Sequence, residues 1–498
     1  MSDTFVFSDE LTCFATRVSE AVRKGARFGG LFATREPSGT RLLVLLEEGA
    51  IISTDSVVVQ DAQPQYPALS LEIPAAAWYE REIHDLFGIE AIGPRRLDPL
   101  VLPTTTGSSR PRTGSGTTKG PIEIDPTPLS AHLRGEGVFT IPYGPVRSGV
   151  FESIEYLVET PGEDILHLRA RVFHKHRGIE TRFEGMTPAD GVLLAERYEG
   201  VASVAHAVAF SSAVEQIAGV EIPEGAGLLR VLHAELERVA NHLESVIRHC
   251  EAAGQAVAFA RFSLHKERVQ RLRAAISGSR FGRGVVIPGG VSGPPGLGAS
   301  ALFSSIDQVE AGVRADLRLL MATPSFADRL RGTGIVSPEV ARQFGALGPV
   351  GRGSGQMADA RIDRPYAAYS LLGLRSIEHR LQGDALARQR ARMDEIEGSF
   401  HIIRQAIDRM EHLRAGKMQW AVPVDLKLNG QSIGWAEAPQ GEVLYIVQLE
   451  EGRLTRVKPR SASFHNLAMF QAAFPKDVLT DFAFIEASFG VSIAGVAG

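Results

Sequence analysis

The sequence predicts an α+β protein: a small α/β domain over residues 1–102, a linker over 103–128, and a larger domain rich in bundle helices over 129–498. Three observations lead there. At 498 residues the chain is longer than a single hydrophobic core usually serves, so two or more domains are expected. The stretch "TTTGSSRPRTGSGTTKGP", residues 104–121, has no apolar periodicity and is dense in Gly, Ser, Thr and Pro, as a flexible, mildly basic connector would be. Short β-like apolar runs precede it, and apolar residues spaced three and four apart follow it.

In chain order, "RLLVLLE" and "SVVV" read as strands, "ALSLEIP" as an alternating strand, and "AAAWYEREIHDLFGI" as a helix. After the linker the clearest segment is "GLLRVLHAELERVANHLESVIRHC". There Leu229, Leu232, Leu236, Val239, Leu243, Val246 and Cys250 form a seam that one helix buries against its neighbours. Glu235, Arg238 and His242 lie off that seam at spacings that let them pair, and they are expected to form a solvated, salt-bridged flank. Near the C-terminus "GEVLYIVQLEEGRLTRVKPR" alternates like a hairpin with Glu-Gly at its turn.

Composition narrows the function. With 44% hydrophobic and 22% charged residues and a formal net charge of -5, the chain reads as a soluble globular protein without a general pull on phosphates, so no nucleic-acid partner is expected. Cys13 and Cys250 are too few for a disulfide framework or a four-thiolate metal or iron-sulfur site within this chain, which fits a reducing cytosol. The N-terminus lacks a basic stretch followed by an apolar one, and no segment approaches the roughly 20 apolar residues that cross a bilayer. Work at a membrane would require other subunits to hold the chain there.

In "FHKHRGIETRFEG", His174, His176, Arg177 and Glu180 fall within seven residues. Histidines at i and i+2 share a face only on a strand, and no Cys supports them, so they are not expected to bind metal. The glycines of "RFGRGVVIPGGVSGPPG" follow no clear strand and lack the Lys-Ser/Thr ending of a phosphate loop, so a nucleotide site is rejected.

Specificity comes from order. "HKHRGIE", "ERYEGVASVAHA", "AVEQIAGVEIPE", "ELERVANHL", "RFGRGVVIPGGV", "GPVGRGSG" with "ARIDRPY", and "EAPQGE" succeed one another along the chain. Over residues 129–498 this resembles the large subunit of membrane-bound, energy-converting NiFe hydrogenases, formate hydrogenlyase included, and its relative, the quinone-site large subunit of respiratory complex I. "WYEREIHDLFGIEAIGPRRLDPLVLP" resembles the small companion subunit of complex I, fused here at the N-terminus. The resemblance implies a NiFe hydrogenase large-subunit-like fold for the main domain.

It also locates a loss. The family's nickel site takes four thiolates in two Cys-x-x-Cys pairs, because soft sulfur holds nickel and bridges to iron. The matching motifs put Glu199, Ala202, Ser492 and Gly495 at those positions, and Gln440 where hydrogenases carry the arginine of Pro-Arg-Gly. Hence no nickel, no iron and no hydrogen activation are expected, and no cofactor in this chain. The complex I quinone histidine corresponds to Arg147 and its tyrosine falls near Gly200, so ordinary quinone chemistry is not expected either. Glu199, however, stands where complex I has an aspartate.

The resemblance therefore implies a candidate proton or acceptor site of Glu199, Arg197, His174, His176 and Asp363, with His206 beside Glu199. Glu199 is expected either to hold and release a proton or to form a structural ion pair filling the vacated cavity. His206 likewise reads as a relay or as a hydrogen-bonded core histidine. The expected partners are a small iron-sulfur subunit, whose cluster carries the electrons, and integral membrane subunits that move protons or sodium. The chain is expected as a peripheral subunit on the cytoplasmic side of the inner membrane. The alternative is a non-catalytic scaffold of such a complex.

Overall fold

The computed structural model describes residues 7–93, 97–103, 133, 137–147, 152–374, 378–413, 419–425 and 429–498. Except for Pro103, the expected linker lies outside them. The fold is α+β.

The N-terminal part is an antiparallel sheet of Arg27–Glu36, Gly39–Glu48 and Ile51–Val59, in that order, with helices Asp9–Arg23 and Ala77–Phe87 packed against it. Ser8 caps the first helix by accepting from Leu11 N, and Asp9 and Glu10 complement the positive end of its dipole. "RLLVLLE" and "SVVV" are strands as expected, and "AAAWYEREIHDLFGI" contains the second helix. The strand Arg27–Glu36 carries no clean alternation, being buried at six consecutive positions, and sequence reading did not identify it. "ALSLEIP" is corrected: Leu69–Leu71 is a 3-10 turn. The Glu80 carboxylate accepts from Leu69 N at 2.6 Å and Ser70 N at 3.3 Å, so a side chain takes the donors that a strand would offer to a ladder.

In the main domain the helix Glu224–Ala252 packs against Ala256–Ser277, Ala385–His412 and Phe482–Phe489. All seven residues of its seam are buried. The solvated flank is overturned, because Glu235, Arg238 and His242 are each 0% exposed. Neighbours enclose this helix except along the stripe of Asn241, Glu244, Arg248 and Glu251, so the side that carries Glu235, Arg238 and His242 is interior as well, and its charges survive only by matching. Glu235 accepts from Arg238 at 3.2 Å, Arg361 at 3.2 Å, Tyr369 at 2.6 Å and Ser399 at 2.6 Å. Glu395 binds Arg352 at 2.7 Å and His242 Nε2 at 2.8 Å.

The C-terminal hairpin is present, Gly441–Glu450 paired with Arg453–Arg460. Glu451 and Gly452 turn at φ 48° and 73°, the left-handed pair that matches strand twist. With Gly430–Ala438 it makes an antiparallel sheet lying on helix Ser203–Ala218. Gly434 permits that approach, since a Cβ there would stand 2.0 Å from the Ala209 carbonyl oxygen. A third sheet joins Phe139–Tyr143, Glu155–Thr160 and His167–Arg171.

Two hydrophobic cores result. One fills the helical bundle; the other runs from the N-terminal sheet (Phe28, Leu42, Leu45) through Tyr156 to Phe464 and Phe489, so the N-terminal part shares its core with the C-terminal segments. Among the described residues no helix is long and apolar enough to cross a membrane.

Four of the histidines buried in these interiors are held neutral by their surroundings. Burial pushes His233, His249 and His465 down to about 3 and His242 to about 4, from an ordinary 6.5. Lowered folded values mean that the unfolded chain binds protons first, so stability is lost as pH falls below about 6.5, each histidine contributing about 2 kcal/mol of that loss by pH 5. The melting temperature is expected to drop steeply below pH 6. His233→Met should flatten that slope in a thermal-melt pH series, because among the described residues neither ring nitrogen of His233 has a hydrogen-bond partner to lose.

Candidate functional site

Glu199 lies in the turn between helices Pro188–Ala195 and Ser203–Ala218, and His206 sits in the first turn of the second helix. That helix start is fixed from its neighbour, as Glu237 accepts from Val204 N at 2.9 Å and Ala205 N at 3.1 Å. Glu199 is 1% exposed and His206 0%. Ser463 Oγ donates to Glu199 Oε1 at 2.6 Å, and His206 Nε2 is 3.0 Å from Oε2. On the far side of the ring, Tyr445 OH is 2.9 Å from His206 Nδ1. Burial, with Tyr198 and Glu199 alongside, pushes the Tyr445 phenol up, so it keeps its proton and can donate to Nδ1. The imidazole then presents its Nε2 proton to the carboxylate.

Around this acid stand the other positions expected to correspond to the family's thiolates. Ala202 offers a fully buried methyl. Ser492 Oγ lies 2.9 Å from a Glu152 oxygen, and the same carboxylate accepts from Ile493 N and Ala494 N. Gly495 has no side chain, and a Cβ built there would meet the Glu199 carboxylate at 2.7 to 2.9 Å. Gln440 is 2% exposed, with both amide atoms unpartnered among the described residues. One carboxylate, one methyl, one engaged hydroxyl and bare backbone are not the donor set of a nickel-iron pair, and the Glu199 carboxylate occupies the space into which a residue-495 side chain would project. The residues present do not fit that centre.

The other expected site residues scatter. Arg197, expected beside Glu199, is half exposed; it reaches back to the preceding helix at Leu193 O, 2.5 Å away, and to Glu196 at 2.6 Å. His174 lies on a 3-10 turn, its Nε2 4.0 Å from Glu155, while His176 Nδ1 is 2.6 Å from Ala497 O. No strand sets these two side by side. Asp363 accepts from Asp359 N at 2.9 Å within its own turn, and it is Asp359 that joins the buried charge network, through Arg361 at 2.7 Å and Arg352 at 3.2 Å. Arg147 forms a two-pronged pair with Glu486 at 2.8 and 2.9 Å, its guanidinium 5.1 Å from the ring centres of both Tyr143 and Tyr156.

Sequence reasoning missed Ser463, Tyr445 and Glu152. Ser463 stands in "SASFHN", where no pattern marks it, and Tyr445 sits in a run that signals only a strand. It also missed what Arg177 does. Its guanidinium donates to Tyr198 O at 2.6 Å and Ala494 O at 2.8 Å, tying the Glu199 turn to the Gly495 helix.

Residues 253–428 match the family described as Respiratory-chain NADH dehydrogenase, 49 Kd subunit; residues 37–112 match its 30 Kd subunit; and residues 177–246 match Nickel-dependent hydrogenase. The chain is 30% identical over 358 residues to the membrane-bound hydrogenase subunit alpha of Pyrococcus furiosus, covering 68% of this chain and 83% of that one. It is 27% identical over 432 residues to formate hydrogenlyase subunit 5 of Escherichia coli, covering 83% and 73%. It is 28% identical over 380 residues to the mitochondrial NADH-ubiquinone oxidoreductase 49 kDa subunit of Neurospora crassa, covering 69% and 77%.

The crowding between positions 199 and 495 is testable. Gly495→Ala favours the helix Ile493–Ala497 locally but drives a methyl into a pinned carboxylate, so it is expected to lower the melting temperature. In a Glu199→Ala background the same change should raise it. The double-mutant cycle should give a coupling of about 1 to 3 kcal/mol.

Proposed function

The chain belongs to the family of large subunits shared by membrane-bound hydrogenases and respiratory NADH-quinone oxidoreductases, and from that premise we propose that it is a peripheral-arm subunit of a membrane-bound oxidoreductase complex. It carries no nickel-iron centre or other cofactor of its own. Electrons pass through an iron-sulfur cluster in a small partner subunit, and integral membrane subunits move the ion, with this chain held at the cytoplasmic face of the inner membrane. Its contribution is a proton taken up and released at Glu199 as the partner's charge changes.

One observation carries this reading: Glu199 is a buried acid held by a hydroxyl and an imidazole, with no guanidinium or ammonium bonded to it among the described residues. Glu235 and Glu395, by contrast, are clamped by arginines, which hold both below the ordinary carboxylate range despite the opposing push of burial. Those two are fixed as anions. Glu199 faces a group that itself accepts and gives a proton: when the Tyr445 hydroxyl turns to accept from Nδ1–H, Nε2 is free to exchange a proton with Oε2, with Ser463 holding the other oxygen.

The near-complete enclosure of Glu199 and His206 favours a second reading, a sealed scaffold in which the pair only fills space. Glu199→Gln in the assembled complex separates the two. Under the proton reading, assembly measured by size exclusion is unchanged and coupled turnover falls about a hundredfold, in line with the loss of a proton-transfer group. Unchanged turnover would leave the scaffold. Metal analysis of the isolated chain is expected to find neither nickel nor iron in stoichiometric amount.

A further inference from the structure

Residues 458–465 are gripped from two sides. From the N-terminal part, the Glu82 carboxylate binds Lys458 Nζ at 2.8 Å. Glu47 stands 3.5 Å from Arg460 Nη2 and also binds Arg27 at 2.5 Å and Arg364 at 2.7 Å. Burial pushes the Glu47 carboxyl up, and Arg27, Arg460 and Arg364 more than offset it, leaving Glu47 an anion. Tyr79 OH is 2.9 Å from His465 Nδ1, and the Tyr79 ring packs edge-on against Phe464 at 4.8 Å.

The opposite side of the same segment touches the cage. Ser461 Oγ donates to Gly495 O at 2.5 Å, and Ser463 Oγ both donates to Glu199 and accepts from Ser492 N at 3.0 Å. Periodicity explains the division. Lys458 and Arg460 are two apart on a strand and share its face, while Ser463 and Asn466 are three apart on the short helix Ala462–Leu467 and share the face away from Phe464 and His465. Asn466 uses that face to bind Leu347 O at 3.1 Å and Gln440 O at 3.3 Å, so the Gln440 turn hangs on it too. All of these residues except the partly exposed Arg27 are buried, so a displacement on one side has no solvent gap in which to dissipate.

We propose that the N-terminal domain sets the position of the Glu199 carboxylate through residues 458–465, with Tyr79 as a positioning residue that acts through His465 and Ser463. The usefulness of this link rests on Glu199 being the working acid; its test does not. A partner that docks on the N-terminal domain thereby gains mechanical access to the acid without touching it. The neutrality of His465, whose ring burial drives down to about 3, together with a Tyr79 phenol pushed up by burial, keeps the connecting bond a neutral one that ordinary pH changes leave in place.

The experiment uses the full chain and the infrared carboxyl bands of Glu199, isolated by subtracting the spectrum of Glu199→Gln in each background. Tyr79→Phe, which keeps the ring and removes the hydroxyl, is expected to shift the Glu199 bands while leaving the melting curve cooperative. Ser463→Ala, at the direct contact, is expected to shift the same bands. Because Tyr79 is buried, His465→Asn breaks the same bond from its other end and should reproduce the shift if the tyrosine variant folds poorly. Unmoved bands in a folded Tyr79 or His465 variant overturn the proposal, and so do unmoved bands in Ser463→Ala, which would remove the last link. Normal turnover of the Glu199→Gln complex would instead sink the proton reading and leave this result standing.

Discussion

The desolvation of charge constrains this molecule more than any other force. Moving a carboxylate or guanidinium out of water costs several kcal/mol unless geometry repays it, and the interior holds many of both. Glu235, Glu395, Glu437 and Asp359 are matched by Arg238, Arg352 and Arg361 at the centre of the helical bundle. A second knot of Glu47 and Glu442 with Arg27, Arg364 and Arg460 fastens the N-terminal sheet to the C-terminal hairpin. These networks specify one arrangement of the helices, since any other leaves a charge unmatched.

Against that background Glu199 stands apart, and the contrast gives the site its character. Each acid of the two networks meets a permanent cation, whereas Glu199 meets an imidazole and a hydroxyl. A carboxylate is a hard, single donor that cannot do the work of four soft thiolates, and the missing side chain at Gly495 is the room that the Glu199 carboxylate needs. Arg177 ties the turn that carries Glu199 to the helix that carries Gly495, holding the two segments that meet around the acid.

Local pattern made much of the fold legible. The seven-residue seam of Glu224–Ala252 and the Glu451–Gly452 hairpin follow from periodicity and turn chemistry, which act over a few residues. "ALSLEIP" misled because alternation records only which side chains are apolar, while the carboxylate of Glu80, some ten residues on, decided the backbone. The flank of Glu235, Arg238 and His242 misled because burial depends on neighbours 120 to 200 residues away, among them Arg361, Glu395 and Ala438. At the site, the ordered motifs placed Glu199 and His206 correctly as neighbours, yet Ser463 and Tyr445, which complete the arrangement, carry no local signature at all.

The Arg177 clamp has a consequence for how the chain matures. It bonds Tyr198 O across 21 positions and Ala494 O across 317, and Ser463 reaches Glu199 across 264. Closing such long loops comes late in folding, after local helices have formed. A ribosome therefore delivers most of this polypeptide before Tyr445 and Ser463 can close around the Glu199–His206 pair, and until the final stretch docks, the apolar seams of an unfinished helix bundle stay open to aggregation or a holding chaperone.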